Sequence, residues 1–519
     1  MSASNQNISN DRGHSSYRGR GRGNRNNYGG TWKLTVDDSM PLTTEDLPKG
    51  GILAELEVAK LVEAATEEQF EAEKYRKEDY ELVASYNWCE KAGKPGIIVP
   101  GLAARWTPPS LPAWLNPDSG IFYIDQNAYR WPTSPLEPAL RALFTLHPTF
   151  DLNPIDIVTD RNNLRKLFRF VCGNQKFMHE FKFYVEVINR TVLVTRWEKR
   201  AANVVAGGEF RGFGHTFEKE FTKYTKGLEG STGHHRVAKY KFGGLNMMVR
   251  FTAEAFLGSK DMPSGGDTEA TGIAQKSVKK QTSDSSPRTG QKSSPGRTRP
   301  HFTPGTGDVK QAPPSAPAHT STTNARGSFA KPLPKAPLTD HTDLADIFAK
   351  SLKIEANNEP ENPPHRLEIV LGGMMMPQER VLEMKTRAMN RTIDLTDQTP
   401  QLWFSNTSNL YVGYHQRGSF MNVDTEIMGV KGLQLWEDEN QGNLRKLAAL
   451  LRSIIQIARS AEGGRAQVAC VGGKLRVHAI QDGEEAFGTL PMELRQRWDV
   501  QRAAKQSAQG GVGAAGKGI

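Results

Sequence analysis

Val381-Leu382-Glu383-Met384-Lys385-Thr386-Arg387 is the stretch whose reading decides both the fold and the chemistry of this chain. Apolar Val381, Leu382 and Met384 surround a single carboxylate, and Lys385 follows it by two positions. In a β-strand, side chains two residues apart point to the same face. Glu383 and Lys385 are therefore expected to project together from one strand. A carboxylate in that setting can hold a divalent cation, and an adjacent ammonium can steady a phosphate oxyanion. A Glu-x-Lys pair is also common as a solvated pair on an exposed face, so the rest of the chain has to supply further acids.

Working outward, the 519 residues carry a formal net charge of +10, with 49 glycines and 30 prolines. The mean hydropathy is −0.56. This size and composition fit an enzyme-sized body interrupted by long polar segments. The basic excess favours a polyanionic partner, with RNA or DNA the first choice. Cys89, Cys172 and Cys470 are too scattered for a disulfide framework or a zinc pattern, which suggests a reducing, intracellular setting in nucleus or cytoplasm. Without a long apolar run, no membrane is expected as a partner. No Asp-rich DDxxD motif occurs, which excludes prenyl diphosphate chemistry of that type.

Five segments are expected along the chain. Residues 1–45 form an arm in which Arg18, Arg20, Arg22 and Arg25 alternate with glycines, suited to phosphate contact and base stacking. Residues 46–258 and 365–500 are two parts of one domain. They are interrupted by a Ser/Thr/Pro-rich insertion, 259–364, whose stretch from Lys276 to Pro300 holds seven basic residues against one aspartate. Residues 501–519 are a Gly/Ala tail. Within the domain, Ile52–Val83 reads as an acidic amphipathic helical region, and Trp88, Trp106, Trp114 and Trp131 read as packing anchors.

Further along, Leu136–Phe144 reads as a helix, and Asp160 or Asn162 as the cap of a basic helix after Ile155–Val158. Phe181–Ile188 and Thr191–Glu198 read as a hairpin across Asn189-Arg190. The run 230–236, with His234 and His235, reads as a polar loop rather than a zinc site. Leu245–Leu257 reads as a strand, and its Glu254 is costly to bury unless paired or metal-bound. Asn409–Tyr414 is a further strand and Asn443–Arg459 the best helix, with Asp438-Glu439 as solvated charges at its N-terminal end. A hairpin around Gly472-Gly473 closes the domain. The fold class is α+β: a mixed central β-sheet flanked by helices, with the disposition of a PD-(D/E)XK nuclease.

The order of these elements resembles the DXO/Rai family of RNA 5′-end decapping nucleases. The likeness is carried by Arg161 to Lys166 after a short strand, then the hairpin, then Gly214-His215-Thr216-Phe217-Glu218. Thr252-Ala253-Glu254, Glu383-Met384-Lys385 and Trp403-Phe404-Ser405-Asn406 follow. From Ser85-Tyr86-Asn87-Trp88 onward the chain also resembles a group of fungal proteins.

The resemblance implies a metal-dependent hydrolase acting on RNA 5′ ends, or a catalytically weakened RNA-binding or scaffold relative of one. It implies that Glu218, Glu254, Glu383 and the Met384 carbonyl gather about Mg²⁺ or Mn²⁺, with Lys385 beside the attacking water. It further implies that Arg161 grips the terminal phosphate, that Asn406 helps to position it, and that a 5′–3′ exoribonuclease serves as a partner. The departure is Thr252, which stands where the family has a carboxylate. The competing reading makes Glu254 and Lys385 an internal ion pair.

Overall fold

β-branched and aromatic runs such as Phe181–Ile188 and Leu245–Ala253 pair into sheets that bury both faces under helices. The structure is a computed structural model that describes residues 41–63, 74–91, 94–173, 178–205, 212–261, 366–425, 427–481 and 487–499. The expected arm and tail, apart from 41–45, and the expected insertion, apart from 259–261, lie outside the described residues. Among the described residues one sheet has eleven strands. Their order is Ile52–Leu56, Lys474–Ala479, Arg465–Val471, Phe181–Ile188, Thr191–Arg196, Ile157–Asp160, Leu245–Ala253, Ser231–Phe242, Lys77–Lys91, Lys94–Gly101 and Glu368–Gly373. Most neighbours are antiparallel, but Ile157–Asp160 runs parallel to both of its neighbours. The class is α+β with mixed sheets, as the sequence pattern suggested.

The two faces of this sheet have separate cores because side chains alternate along each strand. On one face Ala238, Tyr240, Met247 and Val249 meet the helices Arg161–Cys172 and Gln441–Ser460. The latter buries Leu444, Leu447, Leu451, Ile454, Ile455 and Ala458, the stripe visible in its sequence. Each such Leu or Ile contributes about 1.5–3 kcal/mol by leaving water. On the other face Val237, Met248 and Trp88 meet Leu140 and Leu143 of the helix Glu137–Leu146.

A second sheet has seven strands, in the order Thr222–Lys223, Ala104–Trp106, Ala255–Phe256, Val381–Ala388, Asn409–Gln416, Ser419–Asp424 and Ala113–Trp114. Ala255–Phe256 follows Leu245–Ala253 directly, so Glu254 is the residue at which the chain passes from one sheet to the other. Val381–Ala388 pairs antiparallel with Ala255–Phe256 and parallel with Asn409–Gln416. The organising stretch therefore occupies the middle of the second sheet, beside the crossing point.

Four local expectations need correction. Ile52–Leu56 is a strand rather than a helix, because Leu56 pairs with Leu475 at the sheet edge; within the expected helical region, Val58–Glu63 is helical among the described residues. The run 230–236 is no loop, since Ser231–Phe242 is an interior strand whose His234 and His235 find Asn87 and Gln126. Trp88 and Trp106 are buried, but Trp114 is 75% exposed and anchors no core. Asp438 ends the helix Val430–Glu439 instead of beginning the next one, and pairs with Arg76 at 2.7 Å. No helix among the described residues is long and apolar enough to cross a membrane.

Candidate active site

Glu383 and Lys385 do share a face of Val381–Ala388, and they touch: Lys385 Nζ donates to Glu383 Oε1 at 2.6 Å. The same ammonium donates to Glu254 Oε1 at 3.2 Å and to the Met384 carbonyl at 2.9 Å. All three donors of the ammonium are thus directed at oxygens. Glu254 reaches this point because the antiparallel register of Ala255 with Leu382 lays it alongside, where its Oε2 accepts the Met384 N–H. Glu383 is buried and also receives the Gln401 amide and the Arg161 guanidinium, the latter at 3.4 Å.

Glu218 comes from the helix Gly214–Phe221, which is fixed by its aromatic face. Phe217 stacks on Phe221 and Phe420 with ring centres 4.0 and 5.0 Å apart. Gly413 makes this possible, because a Cβ there would stand 2.6 Å from the Phe217 ring. Asp118, itself buried, accepts the Thr216 N–H at 2.8 Å and ties the first helical turn. The Glu218 side chain remains 35% exposed, within reach of the Lys385 charge.

The electrostatics separate the three acids. Burial alone raises the Glu383 carboxyl, but Lys385 and Arg161 outweigh it and hold it at about 2. Burial, reinforced by Glu383, pushes Glu254 well above the usual carboxylate range. Glu218 is raised to about 7 by burial and by the charges of Glu383 and Asp118, with Lys385 opposing. Lys385 is raised, its burial overcome by Glu254 and Glu383. Glu383 is thus shifted down and Glu254 up, although both touch the same Lys385 ammonium. Oppositely shifted carboxyls in one cleft are a recurring mark of acid–base sites.

Arg161 opens the helix Arg161–Cys172 and bridges the elements. Its guanidinium reaches Ser405 Oγ at 3.2 Å and Thr252 Oγ1 at 3.5 Å. A hydroxyl, not a carboxylate, thus faces this cation at position 252. Asp160 precedes the helix at the cap position but makes no capping bond, because both its oxygens are taken by Arg250, at 2.7 and 2.9 Å.

Asn406 is not part of the cluster. It ends the helix Leu395–Ser405 in a left-handed conformation (φ 55°), which turns its exposed amide outward to accept from Lys77 at 3.2 Å. Gln401, one helical turn before Ser405, is the amide that reaches Glu383 instead. Its position was hidden because Pro400 masks the helix in the sequence; Asp118 carried no motif at all. Glu218, Glu254 and Arg161 line a cleft of about 850 Å³, together with Arg165, Arg196, His215 and Gln401. That volume admits a nucleotide-sized ligand.

The donor set suits a hard cation in kind, being all oxygen and mostly anionic. Three of the four oxygen groups already surround a cation, the Lys385 ammonium. As they stand, no three His, Cys, Asp or Glu side chains among the described residues are drawn together tightly enough to hold a metal ion. Cys89, Cys172 and Cys470 form no disulfide among the described residues.

A family model described as "Domain of unknown function (DUF8563)" matches residues 57–312 and 344–498. No curated protein matches the chain by sequence. Similar solved structures include Scheffersomyces stipitis Rai1 in complex with (3′-NADP)+ and calcium ion, at 9% identity and TM-score 0.46, covering 88% of this chain and 100% of that one. Candida albicans Rai1 in complex with pU5-Mn²⁺ has 8% identity and TM-score 0.45 over the same shares. K. lactis Dxo1 in complex with manganese has 7% identity and TM-score 0.40, covering 80% of this chain and 94% of that one.

Proposed function

The chain belongs to the DUF8563 family, and we propose that it is a hydrolase acting at RNA 5′ ends with a divalent cation, Mg²⁺ or Mn²⁺. The observation that carries this reading is the convergence of Glu254 and Glu383 on Lys385, with the Glu218 carboxyl near enough to feel its charge, from a sheet junction, a strand and a helix far apart in sequence. Isolated carboxylates are costly to bury, and a structural ion pair needs one acidic partner rather than two. The order of motifs in the sequence supports the same reading.

In this proposal Glu218, Glu254, Glu383 and the Met384 carbonyl hold the cation. Bound there, it would polarise a phosphoryl oxygen and acidify a water. Arg161 stands on the cleft wall, where its guanidinium can hold a 5′-phosphate oxygen in bidentate fashion. Lys385, once released from Glu254, supplies positive charge to the phosphoryl oxygens as their charge grows. Gln401 fixes the rotamer of Glu383. The cleft cations Arg165, Arg196 and Lys219 give the RNA backbone an electrostatic track. The exoribonuclease partner implied by the resemblance belongs to the same proposal.

A second reading, a catalytically weakened RNA-binding relative, is favoured by one observation. Lys385 fills the centre that a metal would take, and Thr252 brings no carboxylate to offset it. Turnover of 5′-triphosphate, capped and NAD-capped RNA with Mn²⁺ decides between the two. The hydrolase reading expects release that Glu383→Gln abolishes; binding without release by the wild type supports the second reading.

A further inference from the structure

We propose that the cleft wall around Asp125 is a nucleobase site, selecting a base with an exocyclic amino group. This deepens the reading of the same cleft as an RNA 5′-end site. Asp125 is only 4% exposed, yet it lines the cleft together with Phe122, Tyr123 and Gln126. Its Oδ1 caps the short helix Gln126–Arg130 by accepting the N–H groups of Asn127 and Ala128 at 3.0 and 3.1 Å. Its Oδ2 is buried and has no hydrogen-bond partner among the described residues. Leaving such an oxygen unmatched is expensive, so a buried orphan acceptor asks for a donor.

The neighbouring groups cannot supply one. Gln126 Nε2 is committed to Thr232, at 3.0 and 3.1 Å, and Gln126 Oε1 faces His235 at 3.1 Å. Asn127 Oδ1 receives Tyr86 and Trp88. Arg250, whose charge is felt at Asp125, spends its guanidinium on Asp160, Pro135 and Tyr86. An incoming ligand is left to provide the N–H.

The ligand has to combine that donor with an apolar ring, because Ile121, Phe122 and Tyr123 form the adjoining wall. A phosphate has no donor to offer. A sugar hydroxyl has one, but a sugar ring lacks the flat π-face with which a base stacks on an aromatic side chain. Guanine, adenine and cytosine offer both the amino group and the ring. The wall runs from Asp125 through Arg250 and Asp160 to Arg161, so a base held here continues toward the cluster around Lys385.

The test is calorimetric binding of 5′-GMP and 5′-IMP to the full-length protein in EDTA. The two nucleotides differ by the exocyclic amino group alone. The wild type is expected to prefer GMP by roughly tenfold or more, the worth of a hydrogen bond to a charged group. Asp125→Asn keeps the cap, since Asn caps as well as Asp, but puts an NH₂ in place of Oδ2. It is expected to retain its melting temperature and lose the preference. Equal affinity of the wild type for the two nucleotides, no binding of either, or a preference that survives in Asp125→Asn would each overturn the proposal. RNA turnover is measured separately. A base preference without turnover contradicts only the hydrolase reading, and turnover without a base preference contradicts only this site.

Discussion

Lys385 Nζ lies 2.6 Å from Glu383 Oε1, so the two charges of the strand Val381–Ala388 are joined directly. The ammonium also holds Glu254 and the Met384 carbonyl, so under the proposed function a divalent ion would compete with a tethered cation for the same oxygens. Lys385→Met should therefore destabilise the metal-free protein by about 3 kcal/mol, because it leaves the Glu383 charge without its main partner. Mn²⁺ should restore that loss and raise the melting temperature of the variant more than that of the wild type. An equal metal-induced shift in both proteins, measured calorimetrically, would contradict the competition.

The shifted acids also dictate a pH profile. Glu218 is held at about 7, above its ordinary value, so the folded state binds a proton more tightly than the unfolded chain. Its contribution to stability is fully present below about 4.5 and is lost as pH rises toward 7. Glu383, held at about 2, acts in the opposite sense: its contribution is present above about 4.5 and lost as pH falls toward 2. Glu218→Gln should flatten the stability curve between pH 4.5 and 7, and Glu383→Gln should flatten it below pH 4.5. Denaturant midpoints across pH read both effects.

Arg250 and Asp160 form a buried bidentate pair at 2.7 and 2.9 Å that holds the start of the Arg161 helix. Arg250→Met should cost about 3–5 kcal/mol by stranding the Asp160 charge. Part of that loss should return in Arg250→Met/Asp160→Asn. A single variant as stable as the wild type in chemical denaturation would show that the pair contributes nothing.

The Arg-Gly arm and the 276–300 cluster add dense positive charge to the chain. Removing 1–30 and 262–363 should leave the described body folded, weaken RNA binding and flatten its dependence on salt, because fewer counterions are released. An unchanged salt slope in a binding titration would place the affinity in the cleft instead.

Much of the fold was legible in the chain. Val381–Ala388, the 181–196 hairpin and the 441–460 helix carry their periodicities plainly, and Glu383 with Lys385 follows from strand alternation alone. What was not legible depends on distant partners. Ser231–Phe242 looks polar because His234, His235 and Arg236 are satisfied by Asn87, Gln126 and Gln378, none of them near in sequence. Gln401 displaced the expected Asn406 because a helix carried through Pro400 turns one amide inward and ends on the other. Thr252 was visible as a departure, but only the structure shows Arg161 facing it.

That pairing leads to the most direct test. Thr252→Glu should place a carboxylate opposite Arg161 and raise or maintain Mn²⁺-dependent activity, since it adds anionic charge beside the cation-binding oxygens. The decisive measurement is Mn²⁺-dependent release from triphosphate, capped and NAD-capped RNA by wild type, Thr252→Glu and Glu383→Gln. The account predicts turnover in the first two and, with the melting temperature above that of a destabilised protein, none in Glu383→Gln. Turnover that survives Glu383→Gln, or is absent from all three proteins, would contradict it.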